Sequence, residues 1–298
     1  MNHILTLICN PRTAILNDEA LTMATSCLSE LGAETADASW LAHGIACDIP
    51  FCGLDIEVVK ANVQHKFREL PVDIIAQKST NRRKKLLVAD MDSTMIMGET
   101  LDDLAEFAGH KDKVAAITRL AMNGELHFVD ALKQRIKLLK GLSLDNLKKT
   151  MARVELTPGG KTLVQTMKAN GAVTILISGG FTYFTDRVRD MIGFDRAQGN
   201  NFEISDAKLT GQVLEPIIDK NAKLVILKKF AAEYGIAEID TIAAGDGAND
   251  LPMLMAANTG VAYHAKPAVS ELARISINYG DLTALLYIQG YRKEEFII

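Results

Sequence analysis

A short, wholly apolar run, Leu86-Leu-Val-Ala89, ends in two aspartates one residue apart, Asp90 and Asp92, with Thr94 two residues further on. Charge bounds the run on one side and a polar loop on the other, which predicts a buried strand. Carboxylates set at the carboxyl end of a buried strand are costly unless a cation or a substrate uses them. In open α/β sheets that end of a strand is where ligands bind. Blander readings account for less. A helix N-cap needs only one of the two aspartates. An EF-hand loop starting at Asp90 needs glycine at its sixth position and glutamate at its twelfth, where this chain has Met95 and Leu101. A surface turn explains the polarity but not the apolar strand that feeds it.

With 298 residues the chain has room for two domains and a sizeable core. A hydrophobic share of 48% and a charged share of 23% are ordinary for a soluble globular protein. The net charge of -4 gives no reason to expect nucleic acid or an anionic membrane as partner. Arg82-Arg-Lys-Lys85, the one basic cluster, reads as a solvated junction leading into the strand rather than as a nucleic-acid patch. The cysteines, Cys9, Cys27, Cys47 and Cys52, all lie in the amino-terminal part. Cys47 and Cys52, with His43 nearby, lack the second ligand pair of a zinc site, so the reduced thiols of a cytoplasmic protein are expected. The apolar run Ile4–Cys9 is too short for the core of a signal peptide, and no stretch approaches transmembrane length.

Residues 1–80 have their own rhythm. Ile4–Cys9 predicts a strand, Asn10-Pro11 a turn, and Asp18–Leu31 a helix with Leu21, Ala24, Leu28 and Leu31 on one face and Gly32 as terminator. Strands are expected near Ala36–Leu41 and Gly44–Ile49. A second helix is expected over Asp55–Leu70, carrying Ile56, Val59, Val63, Phe67 and Leu70 at helical spacing and stopped by Pro71, before a last strand at Val72–Gln77. The order βαββαβ is the ferredoxin-like split. It resembles the small ACT-type modules that bind amino acids or pair subunits. The turn Asn10-Pro11-Arg12 lacks the glycine usual in such ligand-binding turns, which argues against a ligand there.

From Leu86 onward strands and helices alternate. A helix-rich insertion covers about residues 99–152. Thr157-Pro158 then predicts an N-cap with proline at the first helical position, and Asn170-Gly171 the end of that helix. The strand Ala172–Ile177 leads into Ser178-Gly-Gly180. Phe202–Ile204 and Gln212–Leu214 predict a hairpin, and residues 222–234 a helix. The strand Thr241–Ala244 leads into Gly245-Asp-Gly-Ala-Asn-Asp250 and a helix near Leu251–Ala257. The fold class expected over residues 81–298 is α/β: a Rossmann-like parallel sheet with a small helical cap inserted after its first strand.

Three strand ends thus deliver polar loops, Asp90/Asp92/Thr94, Ser178-Gly-Gly and Asp246-Gly-Ala-Asn249-Asp250, with Lys223 near the start of a helix between the last two. Each alone is weak. Gly245-x-Gly247-x-x-Asp250 lacks the third glycine of a dinucleotide fingerprint, and Lys223 alone reads as a surface lysine. Together and in this order they are specific. In the DxDxT, strand-end Ser, Lys and GDGxND motifs the chain resembles the haloacid-dehalogenase (HAD) phosphotransferases, from about Leu86 to the C-terminal region. The longer stretches Asp90–Thr100, Ala121–Phe128, Ser178–Phe181, Asn221–Lys223 and Gly245–Leu251 resemble the branch that hydrolyses O-phosphoserine, the final step of serine biosynthesis.

The resemblance implies Mg²⁺-dependent hydrolysis through a phospho-aspartate. Splitting a very slow hydrolysis through a covalent intermediate replaces one hard step with two easier ones. Asp90 is then the nucleophile, and Asp92 the group that protonates the leaving alkoxide and deprotonates the attacking water. Expected Mg²⁺ ligands are the carboxylates of Asp90 and Asp246 and the backbone carbonyl of Asp92. Lys223, Ser178, the Gly179 amide and Asn249 would hold the phosphate, while Asp250 and Thr94 support lysine and metal. In the cap, Glu99 would take the substrate ammonium and Arg135 its carboxylate, a bidentate pairing that suits guanidinium. Phe128 lies seven residues from Arg135, on the same helix face, and with Met122 would close over a small zwitterion. Met122 and Phe128 also fit as plain core residues, and Glu99 as first-turn helix charge. His110, His127 and His264 are read as bystanders.

Other readings of the whole chain are a HAD enzyme acting on another small phosphate such as phosphohomoserine, a phosphomutase, or a non-catalytic amino-acid sensor. Intact Asp90, Asp92, Lys223 and Asp246 argue against the sensor. A small-molecule substrate and a homodimer are the partners expected.

Overall fold

The computed structural model describes residues 1–298, which divide into two compact units. One comprises Met1–Lys84, Pro158–Asn170 and Ile277–Ile298. It opens with β1 (His3–Cys9), α1 (Asp18–Glu30), β2 (Glu34–Thr35), β3 (Ser39–Ala42), β4 (Ala46–Cys52), α2 (Ile56–Lys66) and β5 (Val72–Lys78). The sheet runs β2-β4-β1-β5 with β3 also beside β4, and β1 is antiparallel to both neighbours. That is the ferredoxin-like order. Strand alternation puts Leu5, Leu7, Cys47, Ile49 and Phe51 into one core with Ala24 and Leu28 of α1 and Val59 and Val63 of α2. Side chains of Asn17 and Asp55 cap the two helices by accepting backbone N–H bonds.

Two expectations are corrected here. The strand expected over residues 36–41 is broken into β2 and β3, both paired to β4: Ala36 still donates its N–H to the Pro50 carbonyl of β4, but Pro50 has no N–H to return and the ladder stops there until β3. Helix α2 ends at Lys66 rather than Leu70. Pro71 disfavours helical backbone at Leu70, and residues 67–70 close as a turn with the Leu70 N–H on the Phe67 carbonyl at 2.8 Å.

The same unit contains α7 (Gly160–Ala169) and, near the end of the chain, α12 (Ala284–Ile288). The N-cap of α7 is Gly159 at φ 80°, not Thr157, and Pro158 stays outside the helix. A Cβ at residue 159 would lie 2.7 Å from the Thr283 nitrogen, so the close approach and the left-handed backbone both demand glycine.

The second unit comprises Lys85–Thr157 and Gly171–Ser276. After β6 (Leu86–Asp90) come the cap helices α3 (Thr100–Glu106), α4 (Lys111–Met122), α5 (Phe128–Leu138) and α6 (Leu144–Met151). Then follow β7 (Val173–Phe181), α8 (Thr182–Ile192), β8 (Arg196–Ser205), β9 (Lys208–Leu214), α9 (Lys220–Glu233), β10 (Thr241–Gly245), α10 (Leu251–Ala256), β11 (Thr259–Tyr263), α11 (Pro267–Ser270) and β12 (Ile275–Ile277). The seven-stranded sheet has the order β12-β11-β10-β6-β7-β8-β9, parallel from β11 to β8 and closed by an antiparallel β9. The apolar runs are the central strands: every residue of β6, β10 and β11 is buried. Leu86 and Val88 pack with Ile226, Leu227 and Phe230 of α9 and Met253 and Leu254 of α10.

Strand β7 does not stop at Ile177 but continues through Ser178-Gly-Gly to Phe181. The expected hairpin is longer as well. The first part of β8 pairs in parallel with β7, and only its second part turns back against β9.

Candidate active site

Register assembles the site. Asp90 lies opposite Ile177, and Ala89 opposite Ala244, so Ser178, within β7, and Asp246, just past the end of β10, each lie one residue beyond the level of Asp90. After Asp90 the chain makes one wide turn, Met91–Met95, in which Ser93 takes φ 55°. The turn brings Asp92 back over the strand end, where Oδ1 accepts from the Thr100 N–H and hydroxyl, both at 2.7 Å, and Oδ2 from the Ser178 hydroxyl at 3.0 Å.

Asp90 Oδ1 is taken by two donors, the Met91 N–H at 2.8 Å and Lys223 Nζ at 2.7 Å, so Oδ2 is its available oxygen. Lys223 is fully buried, four residues into α9 behind the Asp219 cap, and also donates to Asp250 Oδ1 at 2.6 Å. Burial alone would lower the lysine pKa, but Asp250 and Asp90 outweigh it and hold it raised. Asp250 Oδ2 accepts from the Gly247 N–H at 3.1 Å. The glycines of this loop are required by what lies across them. A Cβ on Gly245 would sit 2.5 Å from the Asp250 carboxyl carbon, and one on Gly247 would sit 2.4 Å from Asn249 Oδ1.

Carboxylate oxygens of Asp90, Asp246 and Asp250 converge within 4.8 Å. Burial first, then Asp250, raises the Asp90 pKa, with Lys223 opposing. Asp246 is pushed up to about 7, by burial and then by Asp250. Asp246 Oδ2 and Asn249 Oδ1 are buried acceptors with no hydrogen-bond donor, and the nearest cation to that oxygen, Lys266 Nζ, is 3.8 Å away. Crowded carboxylates and orphaned oxygen acceptors suit a hard divalent cation. Thr94 stands behind this group, its hydroxyl 3.5 Å from Asp246 Oδ1.

The cap supplies the opposite wall. One cavity is lined by Asp90, Asp92, Ser178, Gly179, Asp246 and Asn249 from the sheet and by Glu99, Met122, Phe128 and Arg135 from the cap. Phe128 lies on Gly179, where a Cβ would meet its Cζ at 2.4 Å, and Met122 Sδ would be 2.7 Å from a Cβ on Gly247. The Ala248 N–H donates to the Met122 carbonyl at 3.1 Å. Glu99 accepts from the Ser93 hydroxyl at 2.9 Å, and its pKa is raised well above the usual range, first by burial and then by Asp92 and Asp246, with Arg135 opposing. All the site residues expected from the sequence therefore line or adjoin one cavity. Lys223, Asp250 and Thr94 stand just behind it. His127 is exposed, 3.6 Å from Asp130.

Several contributors were given no role by the sequence. Thr100 and Gly180, although inside the quoted motifs, hold Asp92 and Ser178; the Gly180 N–H donates to Ser178 Oγ at 2.8 Å. Buried Asn200 donates to the Gly179 carbonyl and accepts from the Ile218 N–H, both at 2.7 Å, and so ties the Ser178 loop to the segment preceding α9. These are polar residues in polar stretches, and only the folded neighbourhood distinguishes them.

A Rossmann-like sheet with a helical cap, and carboxylates, serine and lysine converging at its carboxyl end, defines a phosphoryl-transfer enzyme. Residues 87–255, more than half of the chain, match the haloacid dehalogenase-like hydrolases, and the chain belongs to that family. Its relatives there include phosphoserine phosphatases. The chain is 38% identical over 296 residues to the phosphoserine phosphatase of Streptomyces coelicolor, covering 98% of this chain and 71% of that one. A solved phosphoserine phosphatase, in a form that mimics its phospho-aspartyl intermediate, matches with TM-score 0.67 and 38% identity over 69% of this chain and 98% of its own. A HAD-family hydrolase from Salmonella enterica serovar Typhi matches with TM-score 0.83 and 31% identity, over 96% of this chain and 97% of the other. Phosphatases of this family typically use a divalent metal, which the carboxylate cluster fits. No helix is long and apolar enough to cross a membrane.

Proposed function

We propose that the chain hydrolyses O-phospho-L-serine to serine and phosphate, with Mg²⁺, through a phospho-aspartate on Asp90. The observation that carries this is the pairing of two half-sites on one cavity: Asp90 with Lys223 at its base, and oppositely charged Glu99 and Arg135 in its cap wall. Asp90 Oδ2 attacks phosphorus while Lys223 holds Oδ1 and, against the burial that raises the Asp90 pKa, favours the ionised carboxylate. The phosphorus–oxygen bond to the seryl oxygen breaks as Asp92 passes it a proton. Water then attacks the phospho-aspartate, Asp92 takes its proton, and phosphate departs with Asp90 restored. The Gly179 amide and Asn249 orient phosphate oxygens, and Ser178 turns its hydroxyl from Asp92 towards them. Asp90, Asp246 and the Asp92 carbonyl would hold Mg²⁺, which when bound neutralises phosphate charge and favours attack by an anionic nucleophile.

Glu99 pairs with the substrate ammonium and Arg135 with its carboxylate. That accounts for an acid and a buried guanidinium placed in the same cavity wall. The cavity is only about 20 Å³, room for roughly one water. The contacts of Met122 and Phe128 with Gly247 and Gly179 must therefore part to admit a substrate and re-form over it. We read residues 1–80 as an ACT-like module that pairs two chains, residues 81–298 as the phosphatase with its cap at about 99–152, and a reducing cytoplasm as the setting that suits four free thiols.

Phosphate release by the purified chain, measured against phosphoserine, phosphohomoserine and other phosphorylated small molecules with and without Mg²⁺, tests this reading. The largest kcat/KM is expected for phosphoserine with Mg²⁺, and none is expected from Asp90→Asn. Full activity in that variant, or no release from phosphoserine, overturns it.

A further inference from the structure

Arg135 is the one cation in the cavity wall and is almost completely buried. A guanidinium that must meet a carboxylate edge-on needs its plane fixed before the substrate arrives. The electrostatic attraction of Glu99 cannot do this throughout turnover, because on the reading above Glu99 is committed to the substrate ammonium. A second tether exists that does not touch the cavity. Arg135 Nη1 donates to Thr118 Oγ1 at 3.1 Å, and the Thr118 hydroxyl in turn donates to Asp102 Oδ1 at 2.7 Å. Thr118, in α4, is buried, and neither it nor Asp102 lines the cavity. The Thr118 hydroxyl has a single proton, and its other acceptor within reach, the Val114 carbonyl, is neutral and farther, at 3.1 Å. Asp102 therefore draws the proton and leaves a lone pair facing Arg135. With Nη1 held on that side, Arg135 Nε remains a buried donor without a partner. An unpaired buried N–H is costly, and a substrate carboxylate relieves that cost.

We propose that Thr118, polarised by Asp102, is a positioning residue that sets the Arg135 guanidinium for the substrate carboxylate and so contributes to selection of an amino-acid phosphate. The inference rests on the phosphoserine reading. It links three cap helices, α3, α4 and α5, through one hydroxyl, so the carboxylate-binding edge depends on the cap's internal packing and not on Arg135 alone.

Thr118→Val keeps the shape of the side chain and removes the relay, and a thermal melt verifies that it folds. The KM for phosphoserine is expected to rise about tenfold or more with kcat changed far less, the range expected for a hydrogen bond to a charged group. Thr118→Ser, which restores the hydroxyl, is expected to return KM towards the wild-type value. In an Arg135→Ala background Thr118→Val is expected to add little, since the group it positions is gone. An unchanged KM, a loss confined to kcat, or a penalty of equal size in the Arg135→Ala background overturns the positioning role while leaving the phosphoserine reading intact. Wild-type protein that releases no phosphate from phosphoserine overturns both.

Discussion

Asp246 carries two demands at once, to stay buried and to be an anion. Without a cation it titrates at about 7, whereas an aspartate in an unfolded chain titrates near about 3.9. The folded, metal-free protein therefore holds a proton between those values that the unfolded chain has released. Its contribution to stability is complete below the unfolded pKa and is lost as pH rises through about 7. A cation competes with that proton, so stabilisation by Mg²⁺ runs the other way and grows with pH. The thermal midpoint of metal-free protein is expected to fall between about pH 5 and about pH 8, and the Mg²⁺-induced increase to be larger at the upper end. Asp246→Asn should lessen the first slope, the raised carboxyls of Asp90 and Glu99 supplying the remainder, and abolish the second trend; a variant with the wild-type slope refutes the assignment. The aspartate itself was legible in the sequence because a strand end, a glycine pair and a second acid surround it. Asn200, equally buried and bonded at both ends, was not, since its partners Gly179 and Ile218 lie 21 and 18 residues away.

At the scale of elements, the central strands were the most legible, because burial on both faces makes β6 and β10 continuous apolar runs. Ser178-Gly179-Gly180 reads locally as a turn, yet those residues continue β7, and the first part of β8 is too polar to announce itself. Thr157-Pro158 carried a helix-start signal that Gly159 took over, since the space and backbone angle at that position admit only glycine. Glycine has a different function in β11. A Cβ on Gly260 would lie 2.0 Å from the Leu254 carbonyl oxygen and 2.7 Å from its carbon, so the end of α10 rests directly on the strand backbone. Backbone on both sides cannot give as a side chain would. Gly260→Ala is expected to cost about 3 kcal/mol in urea unfolding with an unchanged m-value. Gly171 at φ 80° has nothing within 4 Å of its Cβ position, so Gly171→Ala should cost only about 1 kcal/mol from backbone strain. Equal losses would show that packing of α10 on β11 is not what Gly260 protects.

For the whole molecule, the sequence invites a cut at residue 80, between an ACT-like module and a phosphatase. The first compact unit nevertheless includes Pro158–Asn170 and Ile277–Ile298. Within it, Asp73 accepts backbone N–H bonds from Asn278 at 2.7 Å, Tyr279 at 3.1 Å and Gly280 at 2.8 Å. Gln77 Nε2 donates to the Ile288 carbonyl at 2.7 Å, and Arg82 donates to the carbonyls of Tyr287 and Ile288 at 3.0 and 3.1 Å. Every residue of α12 is buried, so it has no face prepared for water. Nothing local in residues 277–298 discloses these partners, because they lie some two hundred residues away in the chain. Asp73→Ala alone strands three N–H groups and is expected to cost about 3 kcal/mol. A fragment of residues 81–298 should then lose the cover of α12 and lack Asp73 and Gln77 altogether. It is expected to aggregate or melt well below the full chain, and to release phosphate poorly although every catalytic side chain is present. Gel filtration, thermal melting and phosphate release on the fragment check this together: a monodisperse fragment with full-chain activity would mean that the tail's attachment to the amino-terminal sheet is dispensable for the phosphatase fold.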